Sequence, residues 1–450
     1  MEEGVPGSAV SAEPAGELAA EDEAPAPEAV AITEESESAV AKRGYPITPD
    51  EVSAAFLSES LGETVSSFEC DTSNLESGVL ADAFRVALVY ADPAAASAKG
   101  LPAACFFKVT KSIAEVADIS ASVGHVYEKE VHFYKELVKQ VEGTIRVPKC
   151  YGVFTDASDP SCREFCILME ALEFDEWRTF DQFKTEANAA PMTISDLESY
   201  LDFLAQLHSC TWDIPVDANQ HGLGDYKANW HDLCAAIVGQ PPVWESLQAD
   251  WKALYGQGML EGHVEPAVAA TMGEIIELMT GPQGVALDAE ILRLLRTRPR
   301  ALTHGDARGN NIFRKKGGKQ EWALIDWQMW AAGAVANEFP QVFLNSFSVE
   351  TGVMQDLDSY LARYHAALCA AQPKAAASYS LGDLTTDVRL SSVDMFLQYV
   401  VITNGFMEGY KDPANKAAAD YWNIVMRRNC ETLHFTGALE PLKALAAKLA

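Results

Sequence analysis

The spacing of apolar residues changes period once along this chain, near Leu172, and that change limits the folds open to it. Before it lie five short runs: "SSFEC" (66–70), "FRVALVYAD" (84–92), "PAACFFKVT" (102–110), "VPKCYGVF" (147–154) and "EFCILMEAL" (164–172). They are rich in β-branched and aromatic residues and bounded by turn formers, so they read as five strands. One helical pattern, 119–141, interrupts them. Beyond Leu172 the period becomes helical. In "ISDLESYLDFLAQLHSCTW", Leu197, Tyr200, Leu201, Leu204 and Leu207 fall on one helix face. Helical spacing recurs at 266–280, 288–296, 354–370, 390–408 and 415–434. The expected fold is therefore α+β and bilobal: a small β-rich lobe over 45–170 and a large, mainly helical lobe over 171–450. Two helix starts carry a capping-box pattern: Thr48 with Pro49 and Glu51, and Ser195 with Glu198.

Composition matters mainly at the N-terminus. Residues 1–41 hold eleven acids and no Lys or Arg among Ala, Pro and Ser. Such a segment cannot bury enough apolar area to offset the entropy of ordering, so residues 1–44 read as a disordered acidic tail. The formal charge is −31, and about −20 remains outside that tail. This argues against nucleic-acid binding, which needs a basic face. There is no run of eighteen apolar residues, so no membrane span is expected. Nine scattered cysteines, an odd count without a secretory leader or a zinc spacing, point to a reducing, cytoplasmic setting.

The large lobe has one β-like interruption, "LTHGDARGNNIFRKKGGKQEWALIDW" (302–327). Here "NIFR", the turn "KKGGK" and "EWALID" read as a hairpin. A hairpin brings its ends together, so Asn311 and Asp326 lie side by side at its open end, with Asp306 close by. Oxygen ligands from Asn and Asp suit Mg²⁺, which is shared with substrate phosphates. A further carboxylate left off the metal can accept a proton from an attacking hydroxyl. Phosphoryl transfer from ATP needs these parts. Asn and Asp are also common turn residues, but turn chemistry alone does not ask for all three at this spacing.

"HGDARGNN…LIDWQ" resembles the phosphotransferase motif of the aminoglycoside phosphotransferase and choline kinase superfamily, and most of all its ecdysteroid-kinase-like branch. The similarity extends from about Ile47 to the C-terminal helices and includes "LAQLH" and the E-x-x-F-Y pattern at Glu130. It implies a protein-kinase-like fold and ATP-dependent phosphorylation of a small-molecule hydroxyl. By the resemblance Asp306 matches the base, and Asn311 and Asp326 match the metal ligands. The small lobe should then supply a lysine and its glutamate. Lys108 closes a strand whose alternation can turn it into the cleft. Glu130 has Val123, Val126, Tyr127, Phe133, Tyr134 and Leu137 as its helical neighbours. A carboxylate on such a face needs a cation, so Lys108 and Glu130 are expected to pair. The phosphate loop has one glycine, Gly78, and Asp82 stands where the family usually has serine. Backbone groups around Glu170 and Leu172 are expected to meet the adenine edge. After the motif, Asn337 and Glu338 replace the family's frequent Asp-Leu pair, and Glu338 can take over a structural carboxylate role. His208 reads as a packed core histidine and His304 as a loop brace. Trp327, Trp330, Trp422 and Tyr399 read as core aromatics, with a cage for an ammonium group as the other possibility.

Two other enzyme classes do not fit. No GxxxxGK[ST] occurs, which excludes a P-loop NTPase. "DWQ" and "HGD" stand where protein kinases carry DFG and HRD, and no Ala-Pro-Glu follows. The remaining alternative is a kinase-like binding or scaffold protein without activity.

Overall fold

The computed structural model describes residues 43–71, 81–111, 127–159, 162, 164–181, 189–214, 249, 251, 264–317, 321–347, 352–410 and 416–450, with only the backbone described at 344–345, 401–410 and 416–422. The acidic tail (to residue 42), Gly78, the 119–126 part of the first helix and Cys234 lie outside the described residues.

The small lobe is a five-stranded antiparallel sheet. Its strands are β1 (Val65–Asp71), β2 (Ala81–Tyr90), β3 (Ala104–Thr110), β4 (Cys150–Thr155) and β5 (Phe165–Glu170), in the order β1-β2-β3-β5-β4. All five expected strands form. Alternation along β3 splits its side chains between the faces. Cys105, Phe107 and Val109 join an outer core under the helix Ala54–Leu61, together with Leu57 and Leu61. Phe106 and Lys108 are left on the inner face. That face is covered by helical residues 127–141, whose Tyr127, Val131, Phe133 and Tyr134 share one core with the large lobe.

The large lobe is helical, as the periodicity predicts: Ile194–Cys210, Pro266–Thr280, Gly284–Arg296, Leu357–Ala371, Leu381–Tyr410 and Lys416–Phe435. The sequence reading of its β-content is too sparse. Besides the hairpin strands β9 (Ile312–Lys315) and β10 (Trp322–Leu324), there are β6 (Trp177–Phe180), β7 (Ala189–Ala190), β8 (Arg300–Thr303) and β11 (Ala331–Ala334). β6 extends the hairpin sheet along β9, and β8 pairs with β11. These strands run through the core, where backbone groups must find partners.

Both predicted capping boxes are corrected. Pro49–Glu51 is a short 3₁₀ turn, and Thr48 makes no side-chain cap. The Glu51 carboxylate is taken by Arg43 at 2.5 Å and by the Ile47 N–H at 2.8 Å. The helix then starts afresh, with Ser53 accepting from the Phe56 N–H. Farther on, the box is Thr193 with Asp196, two residues before the expected Ser195 and Glu198. Asp196 is also held by Arg178 at 2.7 Å and by Arg314, and these distant cations select it.

Candidate active site

The hairpin pairs as expected, with Leu324 opposite Ile312 and Trp322 opposite Arg314. At its open end the Ile325 N–H donates to the Asn311 carbonyl at 3.1 Å. Asn311 ends a 3₁₀ turn, Gly309–Asn311. Its Nδ2 donates to the Asp306 carbonyl at 2.9 Å and to Asp306 Oδ2 at 3.2 Å. Holding the amide nitrogen this way frees the amide oxygen for another partner. Asp326 terminates the second hairpin run in the left-handed region, at φ 65° and ψ 60°. Aspartate tolerates that conformation better than most residues, at a cost of order 1 kcal/mol. The turn directs its carboxylate toward the small lobe.

There Lys108 receives it. Lys108 Nζ lies 2.6 Å from Glu130 Oε2 and also bonds Asp326 Oδ1. Burial works against the Lys108 charge, but Asp326 and Glu130 together outweigh it and hold its pKa above the ordinary lysine value. Burial opposes ionisation of Asp326 too, yet Lys108 keeps that group below the usual carboxylate range. For Glu130 burial wins, and its pKa is raised. The expected Lys108–Glu130 pair is thus present, and Asp326 joins it.

Burial pushes the Asp306 carboxyl up to about 7, against the pull of Arg308, whose Nε lies 3.4 Å from Oδ2. A carboxyl poised near neutrality suits a general base. Its loop is braced from below. His304 Nε2 donates to the Ile325 carbonyl at 2.8 Å, and its Nδ1 accepts from the Asp306 N–H at 3.3 Å. That pair of bonds fixes the neutral tautomer, and burial lowers the ring's pKa. The His304 N–H donates to Glu338 Oε2 at 2.7 Å. Glu338, fully buried, therefore anchors the loop in the structural role expected of it. Gly305 has φ +80°, and a Cβ there would sit 2.1 Å from the Met329 carbonyl oxygen. The loop passes too close to the 327–329 turn for any side chain at 305.

The other candidates divide. The Glu170 side chain is engaged by Arg146 at 2.5 Å, and its backbone N–H donates to the Lys149 carbonyl at 2.8 Å. Leu172 packs, half-buried, with Trp177 and Phe313. Asp82 lies on β2 opposite Val109. His208 is a core histidine bonded to the Tyr364 hydroxyl at 2.6 Å. Trp327, Trp330 and Tyr399 are buried in the core and form no cage; the Trp422 side chain is outside the described residues. Sequence reasoning missed Arg308, although it sits two residues after Asp306 in the same motif.

The donor set fits a magnesium ion shared with phosphate. Among the described residues no three His, Cys, Asp or Glu side chains gather as a metal cluster. A carboxamide oxygen and one carboxylate would hold such an ion only with phosphate and water completing its shell, the usual arrangement for Mg²⁺.

Residues 124–378 match the model of the phosphotransferase enzyme family. Among solved structures, the chain is similar to a candidate aminoglycoside phosphotransferase of Ralstonia eutropha JMP134, at 16% identity and TM-score 0.45, covering 87% of this chain and 97% of that one. It is also similar to an ethanolamine kinase of Plasmodium vivax, at 12% identity and TM-score 0.41, covering 87% and 97%. A third is a choline/ethanolamine kinase family protein of Mesorhizobium loti, at 9% identity and TM-score 0.38, covering 90% and 98%. Among curated proteins no relative matches the chain.

Proposed function

We propose that this chain, which belongs to the phosphotransferase enzyme family, transfers the terminal phosphoryl group of ATP to a hydroxyl of a small molecule. The observation that carries the reading is the convergence of Asp306, Asn311 and Asp326 beside the Lys108–Glu130 pair. Asp306 takes the proton from the acceptor hydroxyl. Asn311 and Asp326 would hold Mg²⁺, which when bound offsets phosphate charge and orients the triphosphate. Lys108 is presented to the phosphates by Glu130. The phosphate-loop role falls to Gly78, which lies outside the described residues, and backbone near Leu172 receives the adenine.

In this reading 45–170 is the nucleotide lobe, 171–450 carries the base and the acceptor pocket, and the acidic tail ends before Arg43, which pairs with Glu51. The doubled asparagine and "IDWQ" favour the ecdysteroid-kinase-like branch. A cytoplasmic location is supported by eight free cysteines among the described residues. No described helix is long and apolar enough to cross a membrane.

The test is ADP release across a library of hydroxylated metabolites, with calorimetric titration of ATP in the presence and absence of Mg²⁺. Release with one acceptor class, together with Mg²⁺-dependent binding, supports the proposal. Binding without turnover on any acceptor would replace it with a kinase-like binding protein.

A further inference from the structure

Glu130 reaches Lys108 from a helix that covers the small-lobe sheet and also packs against the large lobe. Apolar packing contributes to that contact: the Phe133 ring stacks on Trp327 with centroids 3.9 Å apart and planes 6° from parallel. A face-to-face contact of this kind can slide at little cost. The neighbouring residue supplies what the stack lacks. Lys129 is a lysine only 1% exposed. Its Nζ donates to the Trp330 carbonyl at 2.9 Å, and the Trp330 indole Nε1 donates back to the Lys129 carbonyl at 2.7 Å. The ammonium also lies 5.4 Å from the centroid of the Trp330 ring. Two hydrogen bonds running in opposite directions between one pair of residues fix both translation and rotation. An apolar side chain of the same length would fill the space without the cost of desolvating an ammonium group, but it could not supply this direction.

The local backbone fits the same purpose. Residues Phe133–Leu137 form a π-turn within the helix. An α-helix presents one stripe, yet here Lys129, Glu130, Val131, Phe133 and Tyr134 are all buried. These residues are shared between two surfaces: Lys129 and Phe133 meet Trp330 and Trp327, and Glu130 meets Lys108. On the other side, Asp326, Trp327 and Trp330 come from one five-residue stretch. That stretch grips the small lobe three times: at Lys108, at Phe133 and at Lys129.

We infer that Lys129 and Trp330 form a two-way clasp that holds the Glu130 helix on the Asp326 segment, which makes Lys129 a positioning residue for phosphoryl transfer. The inference rests on the reading of Lys108, Glu130 and Asp326 as phosphoryl-transfer machinery. The clasp keeps Glu130 in reach of Lys108.

The experiment compares Lys129→Met, Lys129→Arg, Trp330→Phe and the Lys129→Met/Trp330→Phe double variant in the full chain. It reads kcat for ADP release and the Kd of Mg-ATP. Lys129→Met and Trp330→Phe should each lower kcat by about 10- to 10²-fold while Kd moves less than about threefold, as expected when reacting groups are misplaced by an ångström or less. Lys129→Arg should recover most of the rate. The double variant should be slower than either single one, because each single removes one of the two bonds and leaves the other, whose acceptor is a backbone carbonyl. Lys139→Met, at an exposed position farther along the helix, should match wild type. If Lys129→Met does not fold, Trp330→Phe, which keeps an aromatic ring but loses the indole N–H donor, carries the test. Wild-type kcat in both single variants, or a wild-type rate in the double variant, overturns the clasp alone. A wild-type chain that neither binds Mg-ATP nor releases ADP removes the phosphotransferase reading, and the clasp's role with it.

Discussion

Replacing Asp306 by Asn should make the protein slower and more stable, and the stability gain should depend on pH in a defined way. Burial lifts the Asp306 carboxyl from 3.8 to about 7. The unfolded chain loses this proton near pH 4, whereas the folded chain keeps it until near pH 7. Between those values the folded state binds more protons, so its stability falls as pH rises, and above about 7 the loss is complete. Each pH unit of that interval is worth about 1.4 kcal/mol, which bounds the full penalty at about 4 kcal/mol. Asparagine cannot ionise and can still accept the Asn311 Nδ2–H. The variant's advantage over wild type should therefore be larger at pH 8 than at pH 5, by up to about 3 kcal/mol. Denaturant unfolding of both proteins in chelator at the two pH values measures it. Turnover should fall by about 10²- to 10⁴-fold, the usual worth of a positioned base, and the wild-type rate should rise with pH through a limb near 7. An advantage of the same size at pH 5 and pH 8 would refute the reasoning, because the buried charge would then not be its source.

Asp326→Ala should abolish Mg²⁺-dependent ATP binding in calorimetry, because a lone carboxamide holds Mg²⁺ too weakly; if the magnesium dependence survives, the ion is held elsewhere. Gly305→Ala should destabilise the fold by more than about 2 kcal/mol in denaturant unfolding, since positive φ and collision with the Met329 carbonyl add together. A neutral result there would mean that the loop can move away from the 327–329 turn. Deleting residues 1–41 should leave the melting temperature and rate nearly unchanged, because the segment lacks the apolar periodicity needed to dock. A drop of more than a few degrees would show that it packs.

What could be read from the sequence follows from what each residue's neighbours in the chain determine. Lys108 was placed on the inner face because β alternation is a local rule, and Phe107 and Val109 on the outer face bear it out. Glu130 was legible because a carboxylate among apolar helical neighbours demands a cation wherever the helix docks. The capping boxes were not. Thr193–Asp196 and Ser195–Glu198 satisfy the same pattern, and the choice lies with Arg178 and Arg314, the second of them 118 residues from Asp196. β11 was hidden for another reason. "AAGA" has no β-forming preference, and it becomes a strand because burial beside β8 leaves its backbone no other partners. Lys129 is the limiting case. In "YEKEVHF" it reads as a solvated lysine between two glutamates. Its ammonium is fixed by a backbone carbonyl 201 positions away. Every residue carries a carbonyl, so no side-chain pattern at 330 could announce that this one is an acceptor. The indole that returns the bond reads, on its own, as core. Groups that do chemistry are confined to a few residue types and can be found by type and spacing. A group that positions them can bond to any backbone, and only the folded chain shows which.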